Sequence, residues 1–271
     1  MNLKELKHKS FANGKVYLFE TYDGYLLETT DTFLPNYTKD SVGLHQNFLK
    51  DEGLGSREER WMIGVSTMSG CPVGCKFCAT GTMKGCRNLR AQEIVAQVIE
   101  MVSRQPAALV DPIALQQRKG EFKINYTRMG EPFLNIDEVR DAIRIIDTIF
   151  GEGRVHHYIS TIGIKGADYS WIKGNITLQL SVHSFKEDYR DWLIPYKHKI
   201  SLEEMGKIRT ESNLKTTVNL TLTRPEDFDI EALKKYFDPK YFFIKLSPIN
   251  PCETSKNNKL GKGVITQVNL V

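Results

Sequence analysis

The chain has 271 residues, of which 41% are hydrophobic and 26% are charged, and this composition is ordinary for a globular protein with one large domain or two small ones. It excludes a membrane span, because no run approaches the roughly 18 apolar residues that a span needs, and the N-terminal residues lack the apolar core of a secretory signal. The net charge of +4 permits an anionic partner such as nucleic acid, and five cysteines, three of them clustered, suit thiolate ligands in a reducing cytoplasm better than a disulfide framework.

The N-terminal segment predicts a β-hairpin followed by an irregular stretch. Over residues 15–34, apolar and aromatic residues alternate on both sides of Asp23-Gly24, which is a favoured tight-turn pair. Residues 36–60 are polar and predict a loop or a short helical insertion. We therefore expect residues 1–60 to form an N-terminal extension on the main domain.

From residue 61 onward, segments of strand character alternate with segments of helical character. The predicted strands cover residues 61–67, 122–128, 155–161, 176–184, 216–223 and 242–248. The predicted helices cover residues 91–102, 136–149, 166–173, 201–211 and 229–237. This alternation predicts an α/β core over residues 61–251, with parallel strands joined by right-handed helical crossovers.

Both a doubly wound open sheet and an incomplete barrel fit this alternation. No G-x-G-x-x-G follows the first core strand, so the usual dinucleotide fingerprint is missing. Residues 252–271 are expected to form a tail or lid without a sixth helix, with a polar turn at 256–263 and a short strand or extended lid at 264–271.

In either architecture, functional groups are expected at the carboxyl ends of the strands. Five polar segments follow predicted strands at this edge. They are the cysteine loop at 71–78, Gly130-Glu131-Pro132, Ser160-Thr161, Ser181 to His183, and Asn250. We therefore predict a single site at this edge.

The loop at residues 71–78 carries cysteines in the spacing C-x3-C-x2-C, which is typical of iron–sulfur ligands. Because a [4Fe–4S] cluster has four irons, three protein thiolates leave one iron to bind a small molecule. Buried free thiols are disfavoured, because Pro72 and Gly74 predict an exposed bend. A structural zinc site would need a fourth ligand, and the candidates Cys86, His45 and His183 do not lie at usual spacings.

A C-x3-C-x2-C loop after the first strand of a βα-repeat domain resembles the signature of radical S-adenosylmethionine (SAM) enzymes. Among these enzymes, the chain most closely resembles the ribosomal-RNA adenine methyl-synthases of the RlmN/Cfr-like family, which modify carbon-2 or carbon-8 of adenine. The resemblance covers roughly residues 15–251, and the matching segments are Gly70 to Gly81, Arg87-Asn88-Leu89, Met129 to Pro132 with Leu134-Asn135, Ser160-Thr161, Leu180 to His183, Arg190-Asp191 with Ile194-Pro195, and Pro248 to Pro251.

The resemblance implies a partial (β/α)6 TIM-like barrel of radical SAM type with an N-terminal β-hairpin extension. It implies that Cys71, Cys75 and Cys78 ligate a [4Fe–4S] cluster, and that Phe77 lies against the adenine of S-adenosyl-L-methionine. It further implies that Gly130 and Glu131 engage the methionyl amino group. The ribose, carboxylate and adenine would be lined by Ser160, Ser181, Val182, His183 and Asn250.

The resemblance also implies the chemistry and the partners. One electron from the reduced cluster would break the sulfonium–carbon bond and give methionine and a 5′-deoxyadenosyl radical. A flavodoxin- or ferredoxin-like reductant would supply that electron. The substrate would be a small molecule or a nucleotide-like molecule, with RNA also admissible and no membrane partner expected.

The sequence departs from this family at the thiols that carry a methyl group. The methyl-synthases have one such thiol shortly before the cluster loop, where this chain has Gly64, and a second on a C-terminal segment, whereas this chain stops at Val271. The family's N-terminal nucleic-acid-binding domain is also not expected here. Weak catalytic candidates are Cys86, Cys252 and Arg128; Arg128 suits either a substrate phosphate or carboxylate, or a structural salt bridge.

These departures leave three functional hypotheses. The first is a radical SAM enzyme that abstracts hydrogen from an unidentified, nucleotide-like substrate. The second is an RNA adenine methyltransferase in which Cys86 and Cys252 act as relocated thiols. The third is a SAM-binding sensor without turnover, which the intact cluster and cofactor motifs disfavour.

Overall fold

The computed structural model describes residues 3–34, 54–106 and 120–261. The chain divides into two compact units. The first comprises Met1–Ser69, Asn88–Met129 and Asn135–Tyr158, and the second comprises Gly70–Arg87, Gly130–Leu134 and Ile159–Val271. Of the insertion predicted at 36–60, residues 36–53 lie outside the described residues, and the prediction was wrong for residues 56–60, which belong to the strand Ser56–Val65. The strand predicted at 264–271 also lies outside the described residues.

The first unit contains the N-terminal strands and the start of the parallel sheet. Its strands are β1 (Lys4–Phe11), β2 (Gly14–Glu20), β3 (Leu26–Leu34), β4 (Ser56–Val65), β5 (Met68–Ser69) and β7 (Glu121–Tyr126), while β6 (Arg87–Asn88) and β8 (His156–Thr161) cross the unit boundary. Its helices are α1 (Ala91–Ser103) and α2 (Ile136–Phe150). The sheet order is β1-β2-β3-β4-β7-β8, antiparallel from β1 to β4 and parallel between β4 and β7.

The predicted hairpin is confirmed by the antiparallel pairing of β2 with β3, and β1 adds a third strand that the sequence analysis did not predict. Asp31 anchors this region: its buried carboxylate accepts hydrogen bonds from Arg57 and, at 2.7 Å, from the indole N–H of Trp61. A buried carboxylate is stable only when it is paired in this way.

The second unit contains the remaining strands and four short helices. The strands are β9 (Lys173–Gly174), β10 (Ile176–Ser181), β11 (Glu211–Ser212), β12 (Thr216–Thr221) and β13 (Phe242–Ser247). The helices are α3 (Glu187–Leu193), α4 (Leu202–Gly206), α5 (Ile230–Tyr236) and α6 (Glu253–Asn257), with 3-10 turns at Ala79–Thr82, Pro132–Leu134 and Pro225–Asp227. The order β8-β10-β12-β13 follows the chain, and β10, β12 and β13 pair in parallel.

The α/β character and the parallel pairing agree with the sequence analysis, but several predicted elements were wrong. No helix forms at 166–173, because Asp168 accepts a hydrogen bond from the N–H of Ser170 and its carbonyl accepts from the Trp171 indole, which are local bonds that compete with a helix. The helix predicted at 201–211 stops after Gly206, and α3 was missed. The tail, predicted to lack a helix, contains α6.

The helices of the described residues include none that is both long and apolar enough to cross a membrane.

Candidate cofactor site

The cysteine loop belongs to the second unit, comes directly after β5 in the chain, and bends at two glycines with left-handed backbone. Gly70 has φ 75° and Gly74 has φ 70°, a conformation that costs other residues roughly 1–2 kcal/mol. A Cβ on Gly70 would also clash with the carbonyl oxygen of Gly85. The sequence therefore needs glycine at position 70 for both the backbone angle and the close approach.

Burial makes two of the loop thiols weak acids. Burial raises the pKa of Cys71 to about 12, and the neighbouring charges of Glu131, Cys78 and Cys86 raise it further. Burial also raises the pKa of Cys75 well above its ordinary value. A backbone hydrogen bond from Val73 opposes the shift at Cys71 only in part, so without a bound cation both thiols remain protonated at neutral pH.

Such thiols fit an iron–sulfur cluster, because a metal ion deprotonates the thiols that coordinate it. All three cysteines of the loop are half-buried. Within the described residues, no three Cys, His, Asp or Glu side chains converge tightly enough to hold one metal ion. Ligands that each bind a different iron of a cluster lie farther apart than ligands of a single ion. Three half-buried thiols on one short loop are a donor set of the kind that iron–sulfur clusters use.

Two distant segments, the end of α3 and the two ends of α6, hold the backbone of the loop. The N–H of Lys76 donates to the carbonyl of Leu193 at 2.9 Å, and the Lys76 carbonyl accepts from the Asn258 side chain at 2.9 Å. The Sγ of Cys252 donates to the carbonyl of Phe77 at 3.3 Å. Helix α6, which the sequence analysis missed, thus begins at a thiol that touches the cluster loop.

Phe77 and His183 form an aromatic pair beside the loop. Their ring centroids lie 4.8 Å apart with an interplanar angle of 70°. His183 is only 4% exposed and has φ 62°, a left-handed conformation that is rare outside glycine and concentrates at functional sites. The sequence analysis selected both residues, and the structure brings their side chains into contact.

His183 is a neutral hydrogen-bond donor in this setting. Its Nδ1 accepts from the Thr221 N–H at 2.9 Å, so the proton of the neutral ring lies on Nε2. Burial, together with the charge of Arg190, lowers the pKa of His183 to about 3. The imidazole therefore offers an uncharged N–H at neutral pH.

Glu131 ties together the turns that follow β7 and β8. Its carboxylate is 3% exposed and accepts from the Phe133 N–H at 3.1 Å and the Ile162 N–H at 3.0 Å. Burial raises the pKa of Glu131 to about 7, although these bonds and one from Thr161 oppose the shift. This bridging role is additional to the amine contact predicted from the sequence, which stays a prediction.

Arg190 supports the same turn from its other side, a role that the sequence analysis did not identify. Its guanidinium is fully buried and donates to the carbonyls of Ile162 at 3.1 Å and Ile200 at 2.9 Å. Ile162 is therefore held at its N–H by an acidic group and at its carbonyl by a basic group. The only sequence signal for Arg190 was its place in the family resemblance.

The remaining predicted cofactor residues also lie in the second unit. Ser160 and Ser181 are half-buried at the ends of β8 and β10. Val182 is fully buried, so only its backbone is available, and its N–H donates to the Asn219 carbonyl. Asn250 is exposed beyond β13. Gly130, which adopts φ 104°, precedes Glu131 in the turn after β7.

The three catalytic candidates have different surroundings. Cys86 is exposed, whereas Cys252 is half-buried against the loop. Arg128 lies in the first unit, where its guanidinium forms an ion pair with Glu28. This pair is the structural role considered for Arg128, and burial lowers the pKa of its guanidinium.

Neighbouring side chains fill the space beside Gly64. A Cβ there would clash with the Thr30 hydroxyl and would lie 3.0 Å from Cδ of Arg128. The place where the resembling family carries its first methyl-transfer thiol is therefore occupied by packed neighbours.

Comparisons with known proteins show what the chain is similar to. A family model described as the Radical SAM superfamily matches residues 65–237. A protein of Dictyoglomus turgidum named "Probable dual-specificity RNA methyltransferase RlmN" is 34% identical over 201 residues, which are 72% of this chain and 48% of that protein. The "Dual-specificity RNA methyltransferase RlmN" of Helicobacter hepaticus is 29% identical over 97% of this chain and 62% of its own length. The chain thus spans about half the length of the first relative and less than two thirds of the second.

A solved structure shares the fold. The radical SAM methyltransferase from Sphaerobacter thermophilus superimposes with a TM-score of 0.62 at 23% identity, covering 98% of this chain and 76% of that one. At this identity the likeness shows the fold alone.

Proposed function

Because the chain belongs to the radical SAM superfamily, we propose that it binds a [4Fe–4S] cluster through Cys71, Cys75 and Cys78 and uses S-adenosylmethionine to modify a base of RNA. The observation that carries the proposal is the C-x3-C-x2-C loop of three half-buried thiols, which lies inside the residues that the family model matches. We infer a partial (β/α)6 barrel, which is supported by parallel strands that neighbour one another in chain order.

When bound, the cluster and the cofactor together supply one-electron cleavage of a sulfonium–carbon bond. The chain's own residues bind and orient the cofactor. Phe77 and His183 form an aromatic wall suited to adenine, and the Nε2–H of His183 is an uncharged donor. Ser160, Ser181 and Asn250 offer polar side chains for the ribose and the carboxylate.

Glu131 and Arg190 position this site by fixing the backbone at Ile162 from both sides. Gly130 and Glu131 are assigned to the methionyl amino group, since a carboxylate oxygen with one accepted hydrogen bond retains further acceptor capacity. We assign electron delivery to a flavodoxin- or ferredoxin-like reductant and place the enzyme in the cytoplasm, where thiols stay reduced.

The choice of RNA as substrate is supported by relatives that are named RNA methyltransferases. Methyl transfer in that style uses two thiols, and we assign the one beside the cofactor to Cys252, whose Sγ donates to the carbonyl of Phe77. Cys86 is also a candidate, since it lies beside Gly70 at the start of the loop, but it is exposed whereas Cys252 is half-buried. We therefore propose Cys252 as the relocated thiol.

A second candidate is hydrogen abstraction from a nucleotide-like substrate without methyl transfer. The packing around Gly64 favours it, because a thiol at the place of the resembling family's first one would have to displace the side chains of Thr30 and Arg128. Both candidates share the cluster and the cofactor, and they differ only in whether a methyl group reaches the substrate.

Anaerobic reconstitution followed by dithionite reduction tests the proposal. With SAM labelled in its methyl group and ribosomal RNA as substrate, 5′-deoxyadenosine should be released and label should enter RNA adenine. Release of 5′-deoxyadenosine without labelled RNA would select the second candidate. Absence of any SAM cleavage would refute both.

The variants Cys252→Ala and Cys86→Ala test which thiol carries the methyl group. Loss of RNA labelling in C252A with labelling retained in C86A is expected. The reverse result would assign the relay to Cys86, and full labelling in both variants would rule out a relocated thiol.

A further inference from the structure

One face of the sheet in the second unit carries polar side chains beyond those assigned to the cofactor. Ser181, Asn219 and Lys245 occupy one row across β10, β12 and β13, since Ser181 pairs with Asn219 and Asn219 pairs with Lys245. Residues paired in register on parallel neighbours point to the same side of a sheet. Lys245 therefore projects from the same face as Ser181.

Phe243 lies on this face as well, two residues before Lys245 on β13. It is 60% exposed, whereas the adjacent Phe242, on the opposite face, is buried against Phe237 at a centroid distance of 5.1 Å. Phe242 therefore packs in the core, whereas Phe243 is exposed to solvent. Packing in the described residues gives no reason for an aromatic residue at position 243.

Lys245 is a cation without a counter-charge among the described residues. The ion pairs of the described chain include no carboxylate within reach of its ammonium. The side chain is open to solvent, but enough protein surrounds the ammonium to lower the pKa of Lys245, and that burial is the only cause of the shift. A partly desolvated cation of this kind gains more from an anionic ligand than a fully solvated one does.

A hydrogen-bond donor accompanies this cation. The Oδ1 of Asn219 accepts from the Ser247 hydroxyl at 2.8 Å, which orients the side-chain amide so that its NH2 group faces away from that bond. Asn219 is the register partner of Lys245. A cation and a neutral donor side by side suit the oxygens of a phosphate.

We propose that Phe243, Lys245 and Asn219 form a nucleotide-binding face for single-stranded RNA, in which Lys245 pairs with a phosphate and Phe243 stacks on a base. Residues two apart on a strand are separated by about 6.6 Å, a distance that one nucleotide spans from base to phosphate. An aromatic platform beside a cation is the combination that binds single strands without sequence preference. This inference rests on the proposed function, which supplies RNA as the substrate.

Fluorescence anisotropy with a short fluorescein-labelled oligoadenylate tests the face without turnover. Using the reconstituted protein, Phe243→Ala should weaken binding by about 5- to 150-fold, the range that corresponds to the loss of one base stack. Leu246→Ala is the matched control, because Leu246 is 54% exposed on the opposite face of the same strand. It should bind as the wild type does.

The salt dependence of binding tests Lys245 separately. Lys245→Met should reduce the slope of log K against log salt concentration by about 0.7, the value for one phosphate contact on a single strand, whereas Phe243→Ala should leave the slope unchanged. Lys234→Met, which removes an exposed cation on α5 that pairs with Glu231, should leave it unchanged too.

Equal affinities and slopes in the wild type, F243A and K245M would overturn the inference, and so would no binding by the wild type. Equilibrium dialysis with SAM provides a second test. If K245M loses affinity for SAM but keeps the wild-type salt dependence of RNA binding, Lys245 binds the cofactor carboxylate and the inference fails. Oligoadenylate binding through this face, without any RNA modification in the turnover assay, would uphold the face while refuting the proposed function.

Discussion

Replacing Glu131 by glutamine should change how the stability of the protein depends on pH. The pKa of Glu131 rises from 4.5 to about 7 in the folded chain, with burial as the main cause. A carboxyl group with a higher pKa in the folded state than in the unfolded chain binds more protons when folded between those two values. Folding is therefore less favourable as the pH rises through this window.

The size of the effect follows from the pKa change. Each pKa unit corresponds to about 1.4 kcal/mol, so the wild type should lose about 3 kcal/mol of unfolding free energy from this group between pH 4.5 and pH 8. Glutamine has nearly the same shape and no charge at any pH. The difference in unfolding free energy between E131Q and the wild type should thus shift by about 3 kcal/mol in favour of E131Q over this range.

Urea unfolding of the cluster-free protein, followed by circular dichroism at several pH values, measures this difference. Comparing the two proteins cancels the titration of all other groups. Glu152→Gln, in an exposed turn, controls for the loss of one carboxylate. A difference that stays constant with pH would refute the reasoning, and a shift in favour of the wild type would show that the two backbone hydrogen bonds outweigh burial.

Three further predictions concern the cluster, the buried arginine and the filled space near the first strand. Cys75→Ala should abolish the visible absorbance of the reconstituted iron–sulfur cluster, whereas Cys86→Ala should retain it; iron bound normally by C75A would contradict the ligand assignment. Arg190→Met should lower the free energy of unfolding by about 2–5 kcal/mol in urea titrations, because two buried carbonyls lose their donor, and an unchanged midpoint would disprove that role. Gly64→Ala should cost about 1–3 kcal/mol through overpacking, and removing the long side chain in G64A/R128A should recover part of this loss; no difference between the single and double variants would mean that Arg128 does not fill the space.

Much of this protein can be predicted from its sequence, because local spacing determines it. The C-x3-C-x2-C loop needs only the covalent chain to bring its thiols together, and the strand–helix alternation follows from the periodicity of apolar residues. The hairpin turn at Asp23-Gly24 and the strand ends that carry Ser181 and Asn250 were likewise predictable. These features depend on neighbours within a few residues.

The short elements were not predictable in the same way. Residues 166–173 have helical spacing, yet Asp168 makes local hydrogen bonds that favour turns. Helices α3 and α6 are only 7 and 5 residues long, so packing and not helix propensity decides whether they form.

Only the tertiary structure decides which distant side chains meet. Cys252 lies 175 residues from Phe77 in the chain and contacts its carbonyl, and nothing in the residues around Cys252 predicts that. The positions of Glu131 and Arg190 around Ile162, and of Lys245 beside Asn219, arise from strand register and turn geometry. Register is set by which faces are buried across the whole sheet, and for this reason it is a property of the fold and not of any one segment.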